Sequence, residues 1–167
     1  SDKIYYLEFL GANASATVYV NGKKLAHHDG GYSTFRVNIT DVMDNENLVV
    51  VAVDNSANKR VYPQKADFTF YGGLYRKVSI ISVEKSHFDL DYYGGPGIKV
   101  TPILDGTTAN VETEAFVTNG QAGQKLRYTI KDAEGNVLET KELGVEETKT
   151  SFEIKDVHRW NGVKDPY

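Results

Sequence analysis

The stretches Val18-Tyr-Val-Asn-Gly22, His28-Asp-Gly-Gly-Tyr32 and Phe35-Arg-Val-Asn-Ile-Thr40 decide how this chain folds. The first alternates apolar and polar residues and ends at Asn21-Gly22, a strong signal for a β-hairpin. Gly30-Gly31 predicts a second turn, because glycine tolerates positive φ or a close approach of another group. The simplest interpretation of this corner is a structural β-meander.

The composition is that of an ordinary globular protein. The 167 residues allow one large β domain or two small ones, with 40% hydrophobic and 25% charged residues. A net charge of −4 gives no reason to expect binding to nucleic acid or to anionic membranes. The chain has no cysteine, which excludes disulfides and sulfur-ligated metals and leaves the redox compartment open.

Neither end of the sequence has the pattern of a targeting segment. No apolar run approaches the ~18–20 residues of a membrane span, and the first residues lack the apolar core of a signal peptide. Since the chain enters a strand almost at once, we expect it to be a piece of a longer polypeptide, called the parent below. The compartment is unknown, with a periplasmic or secreted parent among the options.

Short strands separated by polar turns follow one another along the whole chain. Leu48 to Val53 is a nearly continuous apolar run, which predicts a central strand buried on both faces. Beyond Ser86 the strands become shorter, with further turn signals at Asp105-Gly106 and Asn119-Gly120. No sustained helical period occurs, so the predicted fold class is all-β. We predict one β-sandwich over 1–86 and an immunoglobulin-like β-sandwich over 87–167.

Catalytic and metal-binding patterns are weak. Glu112 and Glu114 lie two apart on a predicted strand and share a face, which a solvated strand surface explains. The adjacent His27 and His28 point to opposite faces of an extended strand, so they do not predict a metal site. No nucleophile elbow or phosphate loop is present.

One loop between two long apolar strands collects polar and aromatic residues. Carboxylates and aromatic faces on such loops are typical of sugar recognition, although an ordinary polar loop remains the alternative. The residues concerned are Asp54, Asn55, Arg60, Tyr62, Asp67 and Tyr71.

These patterns together resemble a known family. Besides the opening stretches, Val51-Ala-Val-Asp-Asn55, Asp67-Phe-Thr-Phe-Tyr-Gly-Gly-Leu-Tyr-Arg76 and the terminal Trp160…Asp165-Pro166-Tyr167 resemble glycoside hydrolase family 2, which includes β-galactosidases, β-glucuronidases and β-mannosidases. The resemblance covers the whole chain. It implies a jelly-roll (galactose-binding-like) sandwich that lacks its first strands, followed by the immunoglobulin-like sandwich.

The resemblance also implies where the chemistry lies. Family members carry their two catalytic glutamates on a C-terminal TIM barrel, which this sequence does not contain, so no catalytic residue is assigned here. Asp67 resembles a residue that projects into the barrel's pocket and binds the sugar. Asp54 resembles one that in some β-galactosidases helps to hold the glycone and a sodium ion. Arg76 is expected to be structural, and Ala26 replaces a common glycine without loss of chemistry.

The leading hypothesis is a non-catalytic N-terminal part of a retaining exo-β-glycosidase, β-galactosidase-like. Its expected partners are a carbohydrate, a β-galactoside or related glycoside, and the barrel of the same polypeptide. No cofactor is expected in this chain, while the parent is allowed a sodium or magnesium ion. A stand-alone carbohydrate-binding or cell-surface adhesion module is the alternative, and an architectural spacer also remains open.

Overall fold

The protein consists of two compact units. The structure is a computed structural model that describes residues 2–165, and its contacts divide the chain between Pro96 and Gly97. Residues 87–96 pack with the first unit, because Nη1 of Arg36 donates hydrogen bonds to the carbonyl oxygens of Leu90 (3.1 Å) and Gly95 (2.8 Å). A domain boundary at residue 86 stays a prediction.

The first unit is built from two antiparallel sheets. The strands are β1 (Lys3–Phe9), β2 (Ser15–Val20), β3 (Lys23–Asp29), β4 (Phe35–Asn38), β5 (Val49–Asp54), β6 (Val78–Glu84) and the short β7 (His87–Phe88). One sheet has the strand order β4-β1-β6 and the other β3-β2-β5. A 3-10 helix, Thr40–Val42, follows β4.

The alternating pattern of the central strands forms the core of the first unit. Val18 and Val20 on β2 are fully buried, as is Phe9 on β1. The rings of Phe9 and Phe35 stack with centroids 4.7 Å apart. Burial of this apolar surface is the main favourable contribution to the stability of the unit. The cluster comprises Leu7, Phe9, Ala12, Ala16, Val18, Val20, Phe35, Val37 and Ile39.

Both predicted turns of the opening corner are present. Asn21 and Gly22 have φ of 51° and 80°, as a two-residue hairpin of the mirror-image type requires. The Asn21 side chain also accepts a hydrogen bond from the Leu48 backbone (2.9 Å) and donates one to Val42 O. Gly30 has φ of 138°, whereas Gly31 permits a close approach, since a Cβ there would collide with Oδ1 of Asn13.

The prediction that the Leu48 to Val53 run is a strand buried on both faces was wrong. β5 pairs with β2 and lies at the edge of its sheet among the described residues, and Val49 and Val50 are 41% and 47% exposed. A continuous apolar run indicates a strand but does not reveal how many neighbours it has.

The second unit contains a smaller pair of antiparallel sheets. Its strands are β8 (Ile98–Asp105), β9 (Thr108–Ala115), β10 (Val117–Thr118), β11 (Lys125–Lys131), β12 (Val137–Gly144) and β13 (Lys149–Ile154). The strand orders of the two sheets are β13-β9-β8 and β11-β12. The core contains Phe152, which is 1% exposed, together with Val111, Leu126 and Tyr128. A 3-10 helix, Gly162–Lys164, lies near the end of the unit.

Of the two turns predicted for the second unit, one is confirmed and the other was wrong. Asp105 pairs with Thr108, so the predicted turn at Asp105-Gly106 closes the β8–β9 hairpin. Asn119-Gly120 does not form the predicted two-residue hairpin, because the connection from β10 to β11 runs over 119–124. There the backbone amide of Gln121 donates to the Gln124 side chain (2.8 Å), which stabilises a longer loop.

The all-β fold class is confirmed, and residues 2–165 contain only short 3-10 helices besides strands and loops. None of the helices in this described range is long and apolar enough to cross a membrane.

The burial of Val18 and the exposure of Val50 predict different effects on stability when each valine is truncated. Val18→Ala removes two fully buried methyl groups and should lower the free energy of unfolding by about 2 kcal/mol. Val50→Ala, the same change at a 47% exposed position on the neighbouring strand, should change it by less than about 0.5 kcal/mol. Urea denaturation followed by circular dichroism measures both values. Equal losses in the two variants would contradict this assignment of the core.

Candidate functional site

The candidate site is the long loop over 55–77, which joins β5 to β6. At its start, Oδ1 of Asp54 accepts a hydrogen bond from the backbone amide of Ser56 (2.8 Å). Hydrogen bonds from Ser56 lower the pKa of Asp54, so this exposed carboxyl group is ionised at neutral pH. Asp54 therefore begins the loop as the acceptor of a local turn, a common role for aspartate.

The first half of the loop is held by its own side chains. Oδ1 of Asn58 accepts hydrogen bonds from the backbone amides of Arg60 (2.8 Å) and Val61 (3.0 Å). Nε2 of Gln64 donates to the carbonyl oxygens of Asn58 and Val61. Val61 itself is only 4% exposed. These contacts give a polar loop a defined shape without a strand or helix.

Three polar side chains, Ser15 on β2, Asp29 on β3 and Arg60 on the loop, hold the loop against the sheet, and we call them the Asp29 cluster. Nε of Arg60 lies 3.2 Å from Oδ2 of Asp29, and the hydroxyl of Ser15 donates to Oδ1 of Asp29 (2.5 Å). The hydrogen bond from Ser15 is the main reason why the pKa of Asp29 is lowered, with further contributions from Arg60 and His27. No local sequence pattern indicates this cluster, since Ser15, Asp29 and Arg60 are far apart in the chain.

Asn13 clamps the second half of the loop. It is 6% exposed, and its backbone exchanges hydrogen bonds with the backbone of Gly73 (3.1 and 3.0 Å). Its side-chain Nδ2 donates to the carbonyl oxygen of Tyr71 (2.8 Å). We call these three hydrogen bonds the Asn13 clamp.

Tyr75 and Arg76 anchor the far end of the loop. The Tyr75 hydroxyl donates to the carbonyl oxygen of Gly31 (2.6 Å). Nη1 of Arg76 donates to the carbonyl oxygens of Leu10 (3.2 Å) and Tyr32 (2.9 Å). The expected structural role of Arg76 is confirmed by these contacts, which tie the segment before β6 to the opening corner.

Asp67 lies between the anchored halves of the loop. It is exposed, and its carboxylate makes no hydrogen bond or ion pair with the rest of residues 2–165. A carboxylate group without such a partner is free to accept hydrogen bonds from hydroxyl groups. No hydrogen bond joins Asp67 to Asp54 in the described chain. Binding of substrate by either residue stays a prediction.

Glu114, His27 and His28 each contact a neighbouring side chain. Glu112 and Glu114 share a face of the β13-β9-β8 sheet, where Lys149 lies 3.2 Å from Glu114. His27 bonds to Thr17 (2.9 Å), whereas the ring of His28 stacks on Phe35, so the two histidines face opposite sides of β3. Within residues 2–165, no three histidine or acidic side chains are grouped as metal ligands.

Comparison with known proteins shows the family to which this chain belongs. Residues 2–84 match the model of the glycosyl hydrolases family 2 sugar binding domain. The chain is 41% identical to an FMN-binding beta-glucuronidase from Facaelibacterium prausnitzii L2-6, with a TM-score of 0.83 over 96% of this chain and 25% of that one. It is 31% identical to a putative beta-galactosidase from Bacteroides fragilis, with a TM-score of 0.82 over 100% of this chain and 27% of that one.

A curated relative agrees with the solved structures. The beta-galactosidase of Thermoanaerobacterium thermosulfurigenes is 30% identical over 96% of this chain and 22% of its own length. The chain thus spans about a quarter or less of the relatives it matches. These findings define the class of the protein, a sugar-binding β-sandwich of the kind that occurs in carbohydrate-cleaving enzymes. The chain belongs to glycosyl hydrolase family 2, and residues 2–84 form its sugar-binding domain.

The Asp29 cluster predicts a pH-dependent loss of stability. Ser15→Ala removes the hydrogen bond to the Asp29 carboxylate and should cost about 1–2 kcal/mol at pH 7, since the Asp29 side chain is 30% exposed. The folded-state pKa of Asp29 is lowered, so this stabilisation is present above its unfolded pKa of about 3.9 and is lost as pH falls further.

Denaturation curves of the wild type and Ser15→Ala between pH 7 and pH 2.5 measure this effect. The two proteins should differ most at neutral pH and converge in acid. Ser82→Ala, at an exposed position of β6, is the control and should follow the wild type throughout. A difference that stays constant with pH would show that Ser15 stabilises the unit by packing alone.

Proposed function

We propose that this chain is the part of a retaining exo-β-glycosidase that shapes the rim of the substrate pocket. The observation that carries the proposal is Asp67, an exposed and unpaired carboxylate on a loop held on both sides. Membership of glycosyl hydrolase family 2 and the names of its relatives, beta-glucuronidases and beta-galactosidases, support a terminal β-glycoside as substrate.

The chemistry of bond cleavage is proposed to lie elsewhere in the parent. In retaining glycosidases two carboxyl groups about 5–5.5 Å apart act as nucleophile and acid/base, and no such pair is assigned in this chain. A C-terminal TIM barrel of the same polypeptide would supply them, as the family resemblance implies. The loop over 55–77 would then face the sugar bound by that barrel.

Asp67 is the proposed contact with the sugar, and Asp54 has a supporting role. An unpaired carboxylate accepts hydrogen bonds from one or two adjacent hydroxyl groups, and its charge strengthens them. Asp54 already accepts the Ser56 amide through Oδ1, so its other lone pairs remain for a hydroxyl group or a cation. Both residues bind and orient substrate in this proposal, and neither transfers a proton.

Replacement of Asp67 tests the proposal. A hydrogen bond to a charged group contributes roughly 1.5–3 kcal/mol, so Asp67→Ala in the full-length enzyme should lower kcat/KM by about tenfold or more. The measurement uses aryl β-D-galactosides and β-D-glucuronides. Asp41→Ala, another exposed aspartate of the first unit, is the control and should leave kcat/KM unchanged. A wild-type value for Asp67→Ala would remove this residue from the site.

A further inference from the structure

A cleft opens in the first unit beside the Asn13 clamp. It has a volume of about 210 Å³, and neither Asp54 nor Asp67 lines it. Its walls are formed largely by aromatic rings, together with one amide and one hydroxyl side chain. The lining residues are Asn13, Tyr32, Phe68, Thr69, Tyr71 and Tyr75.

The rings of this aromatic cleft are exposed, and hydrogen bonds hold Tyr75 and the backbone of Tyr71 in place. Tyr71 is 73% exposed and Phe68 is 57% exposed, so their faces are accessible. Tyr75 is fixed through its hydroxyl to Gly31, and its ring meets that of Tyr32 edge-on with centroids 6.3 Å apart. The Asn13 clamp holds the backbone of Tyr71. Exposed aromatic groups clustered on a fixed backbone are typical of a binding site.

The polar groups of the cleft favour a ligand that carries hydroxyls. The hydroxyls of Tyr32, Thr69 and Tyr71 make no hydrogen bond with other described residues. Each can both donate and accept, which matches an alcohol group of a ligand. No charged side chain lines the cleft, and Nη1 of the nearby Arg76 donates to the carbonyl oxygens of Leu10 and Tyr32, so the cleft favours a neutral ligand over a carboxylate.

A cationic ligand is disfavoured for a separate reason. Aromatic cages bind quaternary ammonium groups through the negative faces of their rings. Here the guanidinium of Arg76 already lies 5.1 Å from the centroid of the Tyr75 ring. A second positive charge beside it would be repelled. The remaining ligand chemistry is a neutral ring with an apolar face and hydroxyl groups at its edge.

We propose that the aromatic cleft, which Asp67 does not line, binds one neutral pyranose ring of a glycoside. Its volume is below the ~300 Å³ at which pockets for drug-sized ligands begin, so it fits a single ring and no oligosaccharide. The proposal rests on the proposed function only in taking the ligand to be a glycoside.

Titration of the 167-residue chain with methyl β-D-galactopyranoside tests this subsite, by calorimetry and by saturation-transfer NMR. Saturable binding with Kd of about 1–10 mM is expected, which is typical of one small ring. Tyr71→Ala and Phe68→Ala should each raise Kd by about fivefold, since a ring contact of ~1 kcal/mol is lost. Thr69→Val, which replaces the free hydroxyl by a methyl group, should raise Kd by at least about twofold.

The control is Tyr93→Ala, which removes an equally large ring that is 90% exposed and lies outside the cleft. It should bind the galactoside like the wild type. Circular dichroism verifies that all variants are folded, so a variant that unfolds is replaced by the other ring variant.

Three outcomes would overturn the proposal. The first is the absence of saturable binding up to about 50 mM sugar, about five times the highest expected Kd of about 10 mM. The second is wild-type affinity of both ring variants. The third is a preference of more than about tenfold for choline or for methyl β-D-glucuronide. Each result is independent of the kinetics of Asp67→Ala in the full-length enzyme. If the chain does not bind the galactoside but Asp67→Ala still lowers kcat/KM, only the proposed cleft is rejected. If the chain binds the galactoside but Asp67→Ala has the wild-type kcat/KM, only the proposed role at the pocket rim is rejected.

Discussion

The hydrogen bonds of Asn13 are the constraint on which the candidate site depends. Buried polar groups need partners, and here the side-chain Nδ2, the backbone N–H and the carbonyl oxygen of Asn13 all bond to the backbone of the 71–73 segment. The segment is thereby held against the sheet although this single bridge is its only pairing with a strand region within residues 2–165. Gly31 completes the arrangement, because only the absence of a Cβ leaves room for the Asn13 side chain.

This constraint explains how an irregular loop presents its side chains in a fixed way. Arg60 and Asp29 hold one half, while Asn13, Tyr75 and Arg76 hold the other. These contacts occupy backbone carbonyl oxygens and charged side chains at the base of the loop. Asp67 is therefore left without a partner among residues 2–165, and the rings of Phe68 and Tyr71 stay exposed, a condition that suits recognition of hydroxyl-rich ligands. The two proposed sugar contacts share these anchors and use different chemistry, hydrogen bonds to a carboxylate and stacking on rings.

Local patterns predicted much of the fold because the physics behind them is local. Asn21-Gly22 and Asp105-Gly106 form turns, since short-range backbone preferences decide both. The same reasoning was wrong at Asn119-Gly120, where side-chain hydrogen bonds of the following residues favour a longer loop. It was also wrong for the burial of β5, because neighbours in a sheet come from distant parts of the sequence.

The sequence by itself determined the all-β class, the corner at Val18 to Thr40 and the loop that carries Asp67, because alternation and turn residues act over a few positions. The resemblance of its motifs also indicated the family, which the comparisons confirm. Only the tertiary structure decided which groups meet: Ser15 with Asp29 and Arg60, Asn13 with Tyr71 and Gly73, and the rings of the aromatic cleft with one another. Contacts between residues separated by tens of positions depend on how the two sheets pack, and that packing is set by the core as a whole.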